Sequence, residues 1–226
     1  DKKIHKIGQI SEIANEIIDA SDHTVLPGCI DTQTHFREPG STDTEDLHSG
    51  SRAAIAGGIT SVFEMPNTNP PTSNKKEFQR KLDLAKNRMY CNYAFYFGAT
   101  ADNSNDLASL KDLEGCCGIK LFAGSSTGNL LVAEEDDIDK VFQNASKVVA
   151  VHSEDEAILK INKKLIKKGD VHTHPIWRSA ECAISSTRRI VRIAEKYNKK
   201  AHVLHITTKE EIDFLSQHKG NITFEI

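Results

Sequence analysis

The chain has 226 residues, 38% of them hydrophobic and 27% charged, which is enough apolar material for a full core. Its 29 basic and 32 acidic residues leave a net charge of -3, without the basic field that nucleic-acid binding needs. No apolar run approaches the roughly 20 residues of a membrane span, and the first residues lack the apolar core of a signal peptide, so a cytoplasmic protein without membrane contact is expected.

Residues 1–24, with Lys3-Ile4-His5-Lys6-Ile7-Gly8 and Ile17-Ile18-Asp19-Ala20, read as short strands and turns, the remnant of a small accessory β domain. From residue 25 onward, short β-branched runs alternate with longer helical patterns. The expected strands are Val25–Phe36, Gly58–Met65, Asn92–Thr100, Gly118–Ala123, Val148–Glu154, Ala201–Thr207 and Asn221–Ile226. The expected helices are Thr44–Ala56, Lys75–Asn87, Asp106–Leu113, Glu134–Asn144, Ser179–Tyr197 and Lys209–Lys219. The Lys-rich stretch Lys160–Lys168 reads as a solvated helix face. Such a series implies parallel strands joined by right-handed crossovers, in either an open doubly wound sheet or a closed (β/α)8 barrel.

The polar residues decide between these layouts. His35, Asn67, Lys120, His152 and His205 each fall at or just after the carboxyl end of an expected strand. A barrel gathers many strand ends at one mouth, whereas a doubly wound sheet gathers few at a switch point. No GxGxxG follows the first strand, which disfavours dinucleotide binding. The expected fold is therefore α/β, a TIM-type barrel over residues 25–226 with about seven strands present. Because the chain starts without Met and stops inside the alternating run Asn221–Ile226, it is expected to be a piece of a longer protein, truncated before the last strand.

Alternation in the first strand would send Asp31, Gln33 and His35 to one face. His152 closes Val149-Ala150-Val151-His152, and His205 closes His202-Val203-Leu204-His205. Imidazoles on separate strand ends hold a metal rigidly and leave coordination positions open. Lys120, in Gly118-Ile119-Lys120-Leu121-Phe122, would face the barrel interior, where an ammonium is costly. It either pairs with Asp31 or Glu154, or loses its charge and captures carbon dioxide as a carbamate able to bridge two cations. His172 and His174 precede Pro175 and read as loop residues. His202 should point away from His205 by strand parity and pack under a helix. Cys29, Cys91, Cys116, Cys117 and Cys182 are odd in number and lack CxxC spacing, so free thiols are expected and a zinc–thiolate site is not.

Five segments together resemble the dihydroorotases of the amidohydrolase superfamily: His35-Phe36-Arg37-Glu38-Pro39-Gly40, Met65-Pro66-Asn67-Thr68-Asn69-Pro70-Pro71, the Lys120 strand running into Gly124–Gly128, Val151-His152-Ser153-Glu154-Asp155-Glu156, and His202–His205. The resemblance covers nearly the whole chain. It implies one or two zinc ions held by His35, a carboxylated Lys120, His152 and His205, and a substrate carboxylate held by Arg37 and Asn67. It also implies reversible hydrolysis of the cyclic amide of dihydroorotate to N-carbamoylaspartate, a step of pyrimidine biosynthesis. Gln33 stands where many members carry another His ligand, and its neutral amide oxygen is a much weaker zinc donor. The proton-shuttling Asp of the resemblance is expected beyond Ile226, so this piece alone should be inactive. Rival expectations are a hydantoinase or allantoinase, and a non-catalytic scaffold partner of aspartate carbamoyltransferase. The partners expected are the small-molecule substrate and a second copy of the chain.

Overall fold

The computed structural model describes residues 3–125 and 130–226. Seven strands form one parallel sheet in chain order: β1 (Cys29–Thr34), β2 (Ile59–Glu64), β3 (Asn92–Gly98), β4 (Cys116–Phe122), β5 (Val149–His152), β6 (Ala201–Val203) and β7 (Ile222–Phe224). The helices between them are α1 (Leu47–Ala56), α2 (Lys75–Ala85), α3 (Glu135–Asn144), α4 (Glu156–Asn162), α5 (His174–Trp177), α6 (Ala180–Lys196) and α7 (Lys209–Leu215). The sheet curls far enough for Glu225, immediately after β7, to accept a hydrogen bond from Thr32 Oγ1 of β1 at 2.9 Å. The architecture is a curled (β/α) half-barrel.

Alternation along the strands builds its two faces. Phe95 and Phe97, Ile119 and Leu121, Val149 and Val151, and Ala201 and Val203 enter the large core cluster that also holds residues of the helices. Tyr96, Ala150 and Leu204 form a smaller cluster with Met65 on the concave side. Register continues that inner row from Gly98 to Lys120, Ala150, His202 and Thr223. Side-chain caps start the long helices: Asp46 accepts from Ser49 N, Asn74 from Glu77 N and Ser179 from Cys182 N. Each such cap typically stabilises its helix by about 1 kcal/mol.

Several expectations are corrected. The first strand begins at Cys29, not Val25, because Pro27 offers no N–H to a ladder, and Val25 and Leu26 are exposed. Described residues before Cys29 form turns and bends without a regular strand or helix, and Ile4, Ile7, Ile13, Ile17 and Ile18 lie exposed. Asp106–Leu113 is instead a 3-10 helix over Ser104–Leu110, whose buried Leu107 and Leu110 are three apart, as that tighter period demands. The Lys-rich segment is helical only to Asn162 and then tightens into a 3-10 turn, Lys163–Leu165. His174 opens α5 rather than lying in a loop. The last helix ends at Leu215. The expected run Gly124–Gly128 is described to Ser125, and Ser126, Thr127 and Gly128 lie outside the described residues. No helix among the described residues is long and apolar enough to cross a membrane.

Candidate metal centre

The motif His35–Gly40 leaves β1 and turns under α1. Its buried Glu38 is a structural anchor: Glu38 Oε2 accepts from Leu47 N at 2.9 Å, and Arg88 donates to both of its carboxylate oxygens at 2.8 and 3.2 Å. Gly40, at φ +119°, lies against Asn69, where an added Cβ would sit 2.8 Å from the Asn69 side chain. The two motif turns therefore pack directly on one another. That contact sets His35 beside Asn67, with His35 Nδ1 2.9 Å from Asn67 Oδ1. Burial, with the charges of Arg37 and Lys120 nearby, pulls His35 down to about 4. Its ring is neutral at physiological pH and holds a lone pair for a cation.

A register shift between Asp31 and Thr34 interrupts the alternation expected to carry Asp31, Gln33 and His35 onto one face. Asp31 folds back to accept from Gln33 N at 2.9 Å. It is therefore not the partner of Lys120.

Lys120 lies on the inner row, fully buried, with its Nζ 4.7 Å from the centroid of the Phe122 ring. Neither Asp31 nor Glu154 pairs with it. Burial lowers its amine to about 7, opposed by the attraction of Glu225. Neither pairing open in the sequence is formed, and burial favours the uncharged form of the amine more than water does.

His152 ends β5, and its Nδ1 lies 3.1 Å from His205 Nε2. The rings meet edge to face with centroids 4.9 Å apart. On the opposite side of the ring, His152 Nε2 is 2.7 Å from Glu154 Oε2. Burial, His152 and Lys120 together lower His205 to about 4. His205 adopts φ +42°, a left-handed conformation uncommon for a residue other than Gly. That bend breaks strand parity beyond β6, and the expectation that His202 packs under a helix fails. His202 stands on the inner row, 2.8 Å from Thr223 Oγ1 and 3.2 Å from Glu225 Oε2.

A cavity of about 900 Å³ opens over His152 and His205, between the strand ends of β5 and β6. Its wall includes Glu154, His174, Arg178, Thr207 and Lys209. Arg37 and Asn67 stand on the β1–β2 side and do not line it. The sequence reading missed Arg178, which ion-pairs with Glu154 and donates to Ser125 O at 2.9 Å. Its signal was slight, a single basic residue before a Ser-capped helix.

A model of the amidohydrolase family matches residues 24–225. The chain belongs to the amidohydrolase family. It is 33% identical to a dihydroorotase of Methanosarcina mazei over 223 residues, 96% of this chain and 48% of that protein. It is 30% identical to an allantoinase of Escherichia coli, over 93% of this chain and 49% of the relative. Among solved structures, the L-hydantoinase of Arthrobacter aurescens shares the fold with a TM-score of 0.84 at 24% identity, over 92% of this chain and 48% of the other. The chain thus spans about half the length of these relatives.

Family membership raises the question of a metal, and the donor set fits zinc. Two nitrogens bound to one tetrahedral zinc at about 2.0–2.1 Å stand about 3.3 Å apart. His152 Nδ1 and His205 Nε2 are 3.1 Å apart. Among the described residues no group of three or more His, Cys, Asp or Glu is placed to hold a metal.

Proposed function

We propose that this chain provides the metal-binding part of a zinc-dependent dihydroorotase, which opens the cyclic amide of dihydroorotate to N-carbamoylaspartate and closes it in reverse. The observation that carries this reading is the meeting of His152 and His205 beneath a cavity, with the Lys120 amine, lowered to about 7 by burial, on the same concave face. His152, His205, His35 and Lys120 are the proposed ligands, with Gln33 a weaker neutral donor. The neutral Lys120 amine attacks carbon dioxide, a C–N bond forms, and the ammonium proton passes to water, leaving an anionic carbamate with two donor oxygens. Bound zinc supplies Lewis-acid polarisation of the amide carbonyl and lowers the pKa of water to near neutrality.

This chain's residues then orient the ring. Arg37 offers a guanidinium fork and Asn67 an amide, both suited to a planar carboxylate, so dihydroorotate would span the mouth from β1 to the His152–His205 pair. Neutral His35 and His205 add no positive charge where the cation must sit. One observation favours a second reading. The cavity is walled by β5 and β6 residues and not by Arg37, which suits a hydantoin or allantoin ring lacking that carboxylate.

Turnover of dihydroorotate, a plain hydantoin and allantoin by the protein containing this chain, supplied with zinc and bicarbonate, separates the readings. Dihydroorotate should be hydrolysed fastest, and Arg37→Met should raise its KM with little change for hydantoin. Faster turnover of hydantoin or allantoin would select the second reading. Absence of both bound zinc and turnover would remove both.

A further inference from the structure

We propose that Glu154 and Arg178 are positioning residues that set the tautomer and orientation of His152. A neutral imidazole carries one N–H, and the partner of one nitrogen decides what the other presents. Glu154 Oε2 lies 2.7 Å from His152 Nε2, so the proton is held on that nitrogen. Nδ1 then turns a lone pair toward His205 Nε2, 3.1 Å away. With the proton on Nδ1 instead, an N–H would point into the space between the rings.

Glu154 is itself held. Arg178 contacts the same Oε2, donates through its other arm to Ser125 O at 2.9 Å, and stacks its guanidinium on Trp177 at 4.5 Å. Trp177 is tied to α4 by its Nε1 hydrogen bond to Leu159 O at 3.1 Å. Ser125 is clamped from the other side, its N and Oγ donating to Glu156 Oε2 at 2.8 and 2.6 Å. Gly124 brings the chain leaving β4 onto Glu154: an added Cβ there would lie 2.7 Å from both Glu154 Cβ and Glu154 O. The segments that follow the Lys120 strand and the His152 strand are thereby locked together around one carboxylate.

A simple surface ion pair does not account for this arrangement. The Glu154 and Arg178 side chains are only 14% and 21% exposed, and both oxygen and guanidinium have further partners. Arg178 is spent on Glu154 and Ser125 O, which argues against its use as an anchor for a substrate anion. Glu154 in turn offsets the Arg178 charge beside the site where a cation would sit.

The inference rests on His152 as a cation ligand, and two readouts keep the layers apart. In the metal-free protein containing this chain, nitrogen-15 shifts should show His152 protonated at Nε2, and Glu154→Ala should turn this into a mixture of tautomers. Cobalt(II) titrated as probe should bind about 10- to 100-fold more weakly to Glu154→Ala, the usual cost of losing an outer-shell partner. Glu154→Gln, whose amide oxygen still accepts from Nε2, should stay within several-fold of wild type, and Arg178→Met should fall between. Unchanged tautomer and affinity in Glu154→Ala would overturn the proposal. Should that variant fail to fold, wild-type affinity in Arg178→Met would overturn the role of Arg178, and a His152 tautomer other than Nε2–H in the wild type would overturn that of Glu154. A wild type that binds no cobalt would remove the metal reading while the tautomer measurement still decides the positioning role.

Discussion

Lys120 concentrates the chemistry of this molecule because burial, rather than a partner, sets its charge. Its amine is lowered from 10.5 to about 7, so between those pH values the folded chain binds fewer protons than the unfolded one. Stability of the metal-free protein should therefore rise with pH across that window, by an amount on the order of a few kcal/mol, since one pKa unit corresponds to about 1.4 kcal/mol. Lys120→Met keeps the volume and removes the ammonium. Urea midpoints for this variant should be flat from pH 7 to 10 and exceed wild type at pH 6, where the buried charge is fully present in the wild type. Parallel pH profiles for the two proteins would show that Lys120 is solvated or paired. The same substitution leaves no amine to carboxylate, so it should also lower zinc content and turnover.

At the level of elements, all seven strands were legible in the sequence as short runs alternating with longer helical patterns. His152 ends β5, His35 and His205 follow β1 and β6 within two residues, and Lys120 lies inside β4. What escaped the pattern was set by contacts distant in sequence. The left-handed turn at His205 lets it stay beside His152 although His202 also stands on the inner row, and no residue type announces it. Glu154 was read only as an alternative partner for Lys120, and its ion pair with Arg178 comes from the end of α5, a helix the pattern did not contain. Lys81 is the plainest case. On the amphipathic helix α2 it reads as a solvated charge, yet it shares the buried face with Phe78 and Ala85, ion-pairs with Glu64 of β2 and donates to Met65 O at 2.9 Å. Burial pushes Glu64 up to about 7 against the pull of Lys81. Lys81→Met should therefore cost about 3–5 kcal/mol at pH 8, the usual penalty for stranding one member of a buried pair. Losing Lys81 lifts Glu64 further, so Glu64 is neutral at pH 5 and the deficit should shrink there. Adding Glu64→Leu should restore most of the loss at pH 8. Denaturant unfolding at the two pH values checks the pair, and a pH-independent loss below 1 kcal/mol would show that the contact contributes little.

Across the whole molecule, the curl of the sheet makes residues far apart in sequence act on the same amine. β1 and β7 are the first and last strands of the described sheet, and they are not paired with each other. Glu225 spans them by a side chain, accepting from Thr32 of β1 while its carboxylate also meets His202. From there its negative charge raises the pKa of Lys120 on β4, against the larger effect of burial. One carboxylate thus both bridges β1 and β7 and opposes the effect of burial on Lys120, and two substitutions separate these roles. Glu225→Gln keeps an acceptor for Thr32 but removes the charge, so Lys120 should lose its proton more readily. The pH at which metal-free stability begins to rise should then move below about 7. Thr32→Val removes the bridge and keeps the charge, so it should cost about 0.5–1.5 kcal/mol at every pH and leave the inflection where it was. Stability curves against pH for the three proteins distinguish these effects. An unshifted inflection in Glu225→Gln would mean that the carboxylate does not reach Lys120 through the interior, and that its bridge to Thr32 is without consequence for the site.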